Sequence, residues 1–218
     1  MTSYQIQRAG ESRSFPASHA FLDAAQPDGR GVVMIGAEAG AAFRSLKKTE
    51  SYDFVAIELG TECLGVHTGE VRGEERFNVV GFARFRLGES EPSKLIELVR
   101  QPWTTAEALA AAKATFEASG LVVAVCNDFP GRIVDRLVRP YYNAVLRRHD
   151  EKLATADEID KTLRLGLGYP EGPMALLERT GLEHHYDVTQ ALYVALGDTV
   201  YAPARRAQVA KQRAGRKV

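Results

Sequence analysis

The chain has 218 residues, 45 % of them hydrophobic and 26 % charged, with 28 basic residues against 28 acidic ones. This composition excludes a wholly disordered or collagen-like chain, and the balanced charge excludes a global positive field for non-specific nucleic-acid binding. No apolar run is long enough to read as a membrane span, the polar opening Met1 to Gly10 does not read as a signal peptide, and Cys63 and Cys126 alone read as free thiols of a reducing cytoplasm rather than a disulfide scaffold.

The first half alternates short apolar runs with short helical patterns, which predicts an open, mostly parallel sheet. Tyr4 to Gln7 reads as a first strand. Val32-Val33-Met34-Ile35 between glycines reads as a buried parallel strand. Ala37 to Lys48 reads as a short helix, and Phe54-Val55-Ala56-Ile57 as the next buried strand. Cys63 to Val66, Val79 to Phe85 and Lys94 to Val99 are predicted as further extended segments. Thr104 with Glu107 has capping-box spacing, and Leu109, Ala112 and Phe116 share one face, so a helix is predicted up to Gly120. Leu121 to Cys126 reads as another buried strand.

Beyond Asn127 the pattern turns helical. Ile133, Val134, Leu137, Tyr141 and Val145 are spaced as an inward stripe, with a kink or break expected at Pro140. Thr155 with Glu158 is a second capping box. Gly166 to Pro173 is dense in loop residues, and helices follow over Pro173 to Arg179 and His185 to Leu196. Six cations between Arg205 and Lys217 make a basic tail, read either as a site for phosphate, a nucleic acid or a nucleotide-bearing ligand or, as is commoner, as a partly frayed, solvated terminus. The expected organisation is a trimmed α/β domain over 1–126 and an all-helical domain over 127–218, whose stripes pair with a second copy.

Candidate chemistry is sparse. No Gly-x-Gly-x-x-Gly follows the first strand, and Gly36-Ala37-Glu38-Ala39-Gly40 is only a partial phosphate-loop match. The five histidines have no metal-pair spacing, and no metal site is predicted. His67 lies after a candidate strand, where α/β sites are built. Cys63 and Cys126 sit among apolar residues and read as inert.

The second half carries a resemblance. Asp128-Phe129-Pro130-Gly131-Arg132-Ile133-Val134-Asp135-Arg136-Leu137 with Pro140-Tyr141 resembles the 3-hydroxyacyl-CoA dehydrogenase family, whose strand-to-helix junction reads Asp-x-Pro-Gly-Phe-Ile-Val-Asn-Arg-Leu. The stretches from Ala154 to Asp160 and Gly166 to Pro173, with Gly181-Leu182, Gly197-Asp198, Tyr201-Ala202-Pro203 and Gly215-Arg216-Lys217, keep that family's order. Further back, Val79 to Phe82 and Lys94 to Arg100 resemble the segment that leads into its helical domain. The likeness is to the second module of two-module bacterial members, with an eroded nucleotide fold before an intact helical domain. It implies a Rossmann-like domain that binds NAD, a helical dimerisation domain that helps bind acyl-CoA, and hydride transfer from a 3-hydroxyacyl-CoA with a His–Glu pair moving the proton.

The departures fall on that chemistry. The family's His position in Gly-x-His-Phe-Phe-Asn-Pro is held by Ala83, which moves no proton, and its Asn position by Arg86. The partner carboxylate is retained as Glu97, and Asp135 stands at a family Asn that approaches the site. The family's Asn-Thr-Ser segment falls near His67-Thr68-Gly69, so His67 is a candidate replacement base. Three readings follow. The first is a weakly active or non-catalytic subunit that binds acyl-CoA and forms a homodimer, or a heterodimer with a related dehydrogenase. The second is an NAD-dependent dehydrogenase rebuilt on His67 and Glu97. The third is a hydrolase or lyase acting on acyl-CoA, with Glu97 and Asp135 as paired carboxylates.

Overall fold

The computed structural model describes residues 3–71, 73 and 76–216. Lys217, the last cation of the basic tail, lies outside them. The chain divides into two compact units, Met1–Arg86 with Pro92–Ile133, and Leu87–Glu91 with Val134–Val218.

The first unit is built on six strands: β1 (Tyr4–Arg8), β2 (Gly31–Ile35), β3 (Phe54–Glu58), β4 (Val79–Arg84), β5 (Leu95–Arg100) and β6 (Val122–Asn127). They lie in the sheet in chain order. β1 to β4 are mutually parallel, β5 runs antiparallel to β4, and β6 is parallel to β5. β2 and β3 are buried at every position, as their unbroken apolar runs predict. One face packs Val33, Ala56, Phe82 and Leu98 under α1 (Ala20–Asp23) and α4 (Ala106–Glu117). There Phe15, Phe21, Phe116 and Phe82 form an aromatic column with successive centroids 5.0, 4.9 and 5.0 Å apart, within the range in which ring pairs attract. The other face packs Val32, Met34, Ile57 and Val99 under α2 (Ala39–Ser45) and Leu64, just before the single turn α3 (Gly65–Thr68).

Three local expectations are corrected here. Cys63 to Val66 is not a strand. Its backbone turns into α3 because the Asp128 carboxylate accepts from the N–H groups of Leu64 (2.7 Å) and Gly65 (2.8 Å), which a helix start leaves unpaired. Thr105, not Thr104, caps α4, its hydroxyl accepting from Ala108 N, while Thr104 Oγ1 accepts from Gln101 N. β6 is an outer strand with Val122 exposed, not a buried one.

The second unit holds α5 (Val134–Asp150), α6 (Ala156–Leu167), α7 (Pro173–Thr180), α8 (Leu182–Leu196) and α9 (Arg205–Ala214). The predicted capping signal of α6 is used, Thr155 accepting from Glu158 N, but Gly166, expected in the following loop, lies inside the helix, which Gly168 closes at φ 72. α5 runs through Pro140 instead of breaking. Proline has no N–H for the Arg136 carbonyl one turn earlier, and the Tyr201 hydroxyl donates to that carbonyl instead. The predicted inward stripe of α5 is corrected in part: Val145 is buried as expected, but Leu137 is 70 % exposed, and the buried face otherwise carries Asp135, Arg139, Tyr142, Asn143 and Leu146. The basic tail forms α9 rather than fraying. Three of its cations pair within the unit, Arg205 and Arg206 with Asp150 and Lys211 with Asp187.

Candidate functional site

The carboxyl ends of β1, β2 and β3 open a cleft of about 400 Å³. It forms because the chain leaves β1 toward the aromatic column and leaves β2 toward the opposite face. Arg13 and Arg44 line its mouth, Glu58 its floor, and Gly40, Glu62 and His67 one wall. The two glycines of the partial phosphate-loop match have internal reasons. A Cβ on Gly36, at φ 111, would meet the Ala9 carbonyl oxygen at 2.3 Å, and one on Gly40 would meet the His67 ring at 2.1 Å.

The main-chain donors of that turn are taken. Gly36 N donates to Glu58 Oε2 at 2.7 Å, Ala37 N to Glu11 O at 2.9 Å, and Glu38 N to Ala9 O at 2.9 Å. The buried Glu58 carboxylate also accepts from Ser12 Oγ and from Ser14 N, each at 2.7 Å. Glu58 ends β3, one residue beyond the apolar run that marks the strand in the sequence. Its only signal there was a carboxylate at a buried strand end.

His67 is placed on α3, nine residues past the end of β3, rather than at the strand end where the family segment was expected. Its Nε2 lies 3.3 Å from Glu62 Oε1. Burial raises the Glu62 pKa, but the hydrogen bonds from His67 and the Gly60 N–H outweigh it and hold the carboxyl below its ordinary range.

Glu97 lies on β5, opposite Ala83 of β4 in the antiparallel register, so both side chains share one face. It is 2 % exposed. Its Oε1 accepts from Ile133 N at 2.8 Å, and its Oε2 lies 3.4 Å from Arg132 Nε. Arg132 Nη2 donates to Gly60 O at 2.7 Å. Arg132 holds a left-handed backbone conformation, φ 52, and sequence reasoning passed over it. Nearby, burial first and then Asp128 push the Cys63 thiol up to about 11, and burial then Glu97 do the same for Cys126, so neither is a ready nucleophile.

Asp135 lies in the second unit, on α5. Its Oδ1 accepts from Arg139 Nε at 2.7 Å one turn on, and both residues are buried. Arg139 Nη1 lies 3.2 Å from His185 Nδ1, and His185 Nε2 lies 3.0 Å from Asn143 Oδ1. Burial, then the charge of Arg139, push the His185 pKa down to about 3. A neutral ring with its proton on Nε2 accepts from Arg139 and donates to Asn143, and so satisfies the chain.

Comparison with known proteins gives this arrangement a context. Residues 131–218 match the family model "3-hydroxyacyl-CoA dehydrogenase, C-terminal domain". This helical segment is similar to that family's C-terminal domain, and the match covers less than half of the chain. A probable 3-hydroxybutyryl-CoA dehydrogenase of Bacillus subtilis is 33 % identical over 110 residues, 50 % of this chain and 38 % of the relative. The human mitochondrial hydroxyacyl-coenzyme A dehydrogenase is 36 % identical over 90 residues, 41 % of this chain and 29 % of that enzyme. The chain therefore spans well under half the length of these curated relatives. A 3-hydroxybutyryl-CoA dehydrogenase structure from Escherichia coli shares the fold, with a TM-score of 0.69 and 24 % identity over 89 % of this chain and 40 % of that one.

The dehydrogenases of this family imply NAD, and the residues present do not fit it. A dinucleotide fold sets its first strand mid-sheet, with two further strands beyond it carrying the adenosine half. Here β1 is the edge strand. The turn amides that would meet a pyrophosphate are bonded to Glu58, Glu11 and Ala9. Among the described residues no three His, Cys, Asp or Glu side chains group as a metal site, and no helix is long and apolar enough to cross a membrane.

Proposed function

We propose that this chain is a dimerising, acyl-CoA-binding member of the 3-hydroxyacyl-CoA dehydrogenase family that does not carry out hydride transfer. The observation that carries this reading is the pairing of Glu97. The family resemblance makes this carboxylate the partner of a proton-moving His, but it faces Ala83 and holds Arg132 and the Ile133 N–H. An arginine stays protonated throughout the working pH range, so the pair neutralises charge and moves no proton. Asp135 is committed in the same way to Arg139. That removes the two carboxylates on which a hydrolytic or lyase reading rests. The helical unit exposes Leu137, Leu165, Leu167 and Val194, apolar surface suited to a second copy or a related dehydrogenase.

Sedimentation of the purified chain, with calorimetric titration of acetoacetyl-CoA, tests this reading. A two-chain species that binds the acyl-CoA supports it. A monomer that binds none rejects it. A second reading draws on the His67–Glu62 contact, which has the form of a base with an orienting carboxylate. It requires turnover that His67→Ala abolishes.

A further inference from the structure

We propose that Glu58 is a built-in occupant of an anion position, its carboxylate standing where a ligand phosphate would be held and closing the cleft to phosphorylated ligands. This builds on the reading that the chain uses no dinucleotide and supplies a physical reason for it.

Three donors converge on the Glu58 carboxylate. Gly36 N and Ser12 Oγ meet Oε2, and Ser14 N meets Oε1, each at 2.7 Å. The Ser12 hydroxyl accepts from Phe15 N at 2.9 Å, which leaves its proton for Glu58. Such short bonds to an acceptor-only group are those of a charge-assisted anion site. The donors come from the segments that follow β1 and β2, at the strand ends where α/β folds collect phosphates on main-chain N–H groups. The anion here is supplied by the neighbouring strand β3.

Nothing is left over at that turn for a second anion. Ala37 N and Glu38 N are bonded to Glu11 O and Ala9 O. The exposed Arg13 and Arg44 at the mouth attract anions toward the cleft, but a phosphate that enters meets a buried carboxylate rather than open amides. Two like charges in one cradle repel, so occupancy by Glu58 and by a phosphate are mutually exclusive.

The test is amide NMR of the full chain titrated with inorganic pyrophosphate. In the natural sequence the Gly36 and Ser14 amide resonances stay fixed. In Glu58→Ala they shift saturably, with binding tighter by on the order of 10- to 100-fold, the gain of one or two charge-assisted hydrogen bonds. Glu58→Gln, which keeps the side chain's shape, leaves the position filled and the resonances unresponsive. If the alanine variant does not fold, Glu58→Ser vacates the position while leaving a polar group at the strand end. Saturable shifts in the natural sequence, or a folded Glu58→Ala or Glu58→Ser that ignores pyrophosphate, overturn the proposal. It fails separately from the catalytic reading: pyrophosphate binding at Gly36 without turnover rejects this inference alone, and turnover without a response at Gly36 rejects the catalytic reading alone.

Discussion

Acid should loosen the helical unit through His185. Its pKa lies near 3 in the folded chain against 6.5 for the free side chain, burial first and Arg139 second. A histidine depressed in this way binds its proton in the unfolded state first, so stability is complete above about pH 6.5 and falls as the pH drops toward 3. A fall from 6.5 to about 3 corresponds to roughly 5 kcal/mol in all. Between about pH 7 and pH 5 the linkage relation gives a loss of about 2 kcal/mol, before most carboxylates titrate. The protonated ring would face the guanidinium of Arg139 at 3.2 Å, with Asn143 Oδ1 as its remaining acceptor. Urea unfolding followed by circular dichroism, on the natural sequence and on His185→Gln, isolates the effect. The natural chain should lose about 2 kcal/mol more than the variant over that interval. Equal pH slopes for the two would refute the reasoning, because the other histidines are common to both.

Arg132→Met should cost about 3–5 kcal/mol in the same unfolding assay, since it removes a charged partner from the buried Glu97. Adding Glu97→Gln should recover much of that loss, and an unchanged Arg132→Met would dismiss the ion pair as the carboxylate's main support. The double change Leu165→Glu with Leu167→Glu, at two exposed positions of α6, a helix that buries no residue, should shift sedimentation from two chains to one. A dimer that persists would place the contact elsewhere.

The strands were legible where burial on both faces demanded it, as with Val32 to Ile35 and Phe54 to Ile57. A helix start was legible where the signal was local, as at Thr155. What escaped depended on partners distant in sequence. The turn at Leu64 and Gly65 is fixed by Asp128, about sixty residues on. The inward face of α5 looked wrong for a core because Asp135, Arg139 and Asn143 are polar, and they tolerate burial through bonds to one another, to His185 and, for Asn143, to the Val200 carbonyl and the Ala204 N–H. Glu97 and Ala83 were legible as a broken pair through the family resemblance. Arg132, which fills the gap, was not, because a lone arginine before an apolar helix start looks like a surface residue. Glu58 escaped for a related reason: a strand-end carboxylate reads as solvated until the loops that fold over it are known.

The account rests on the claim that proton and hydride chemistry has left this fold while its packing has been kept. NADH absorbance, followed after mixing the purified chain with acetoacetyl-CoA and NADH, tests that claim most directly. The account predicts no decline beyond that of a blank, in the natural sequence and in His67→Ala alike. A steady decline in the natural sequence that His67→Ala abolishes would contradict it and move the catalytic base to the cleft wall.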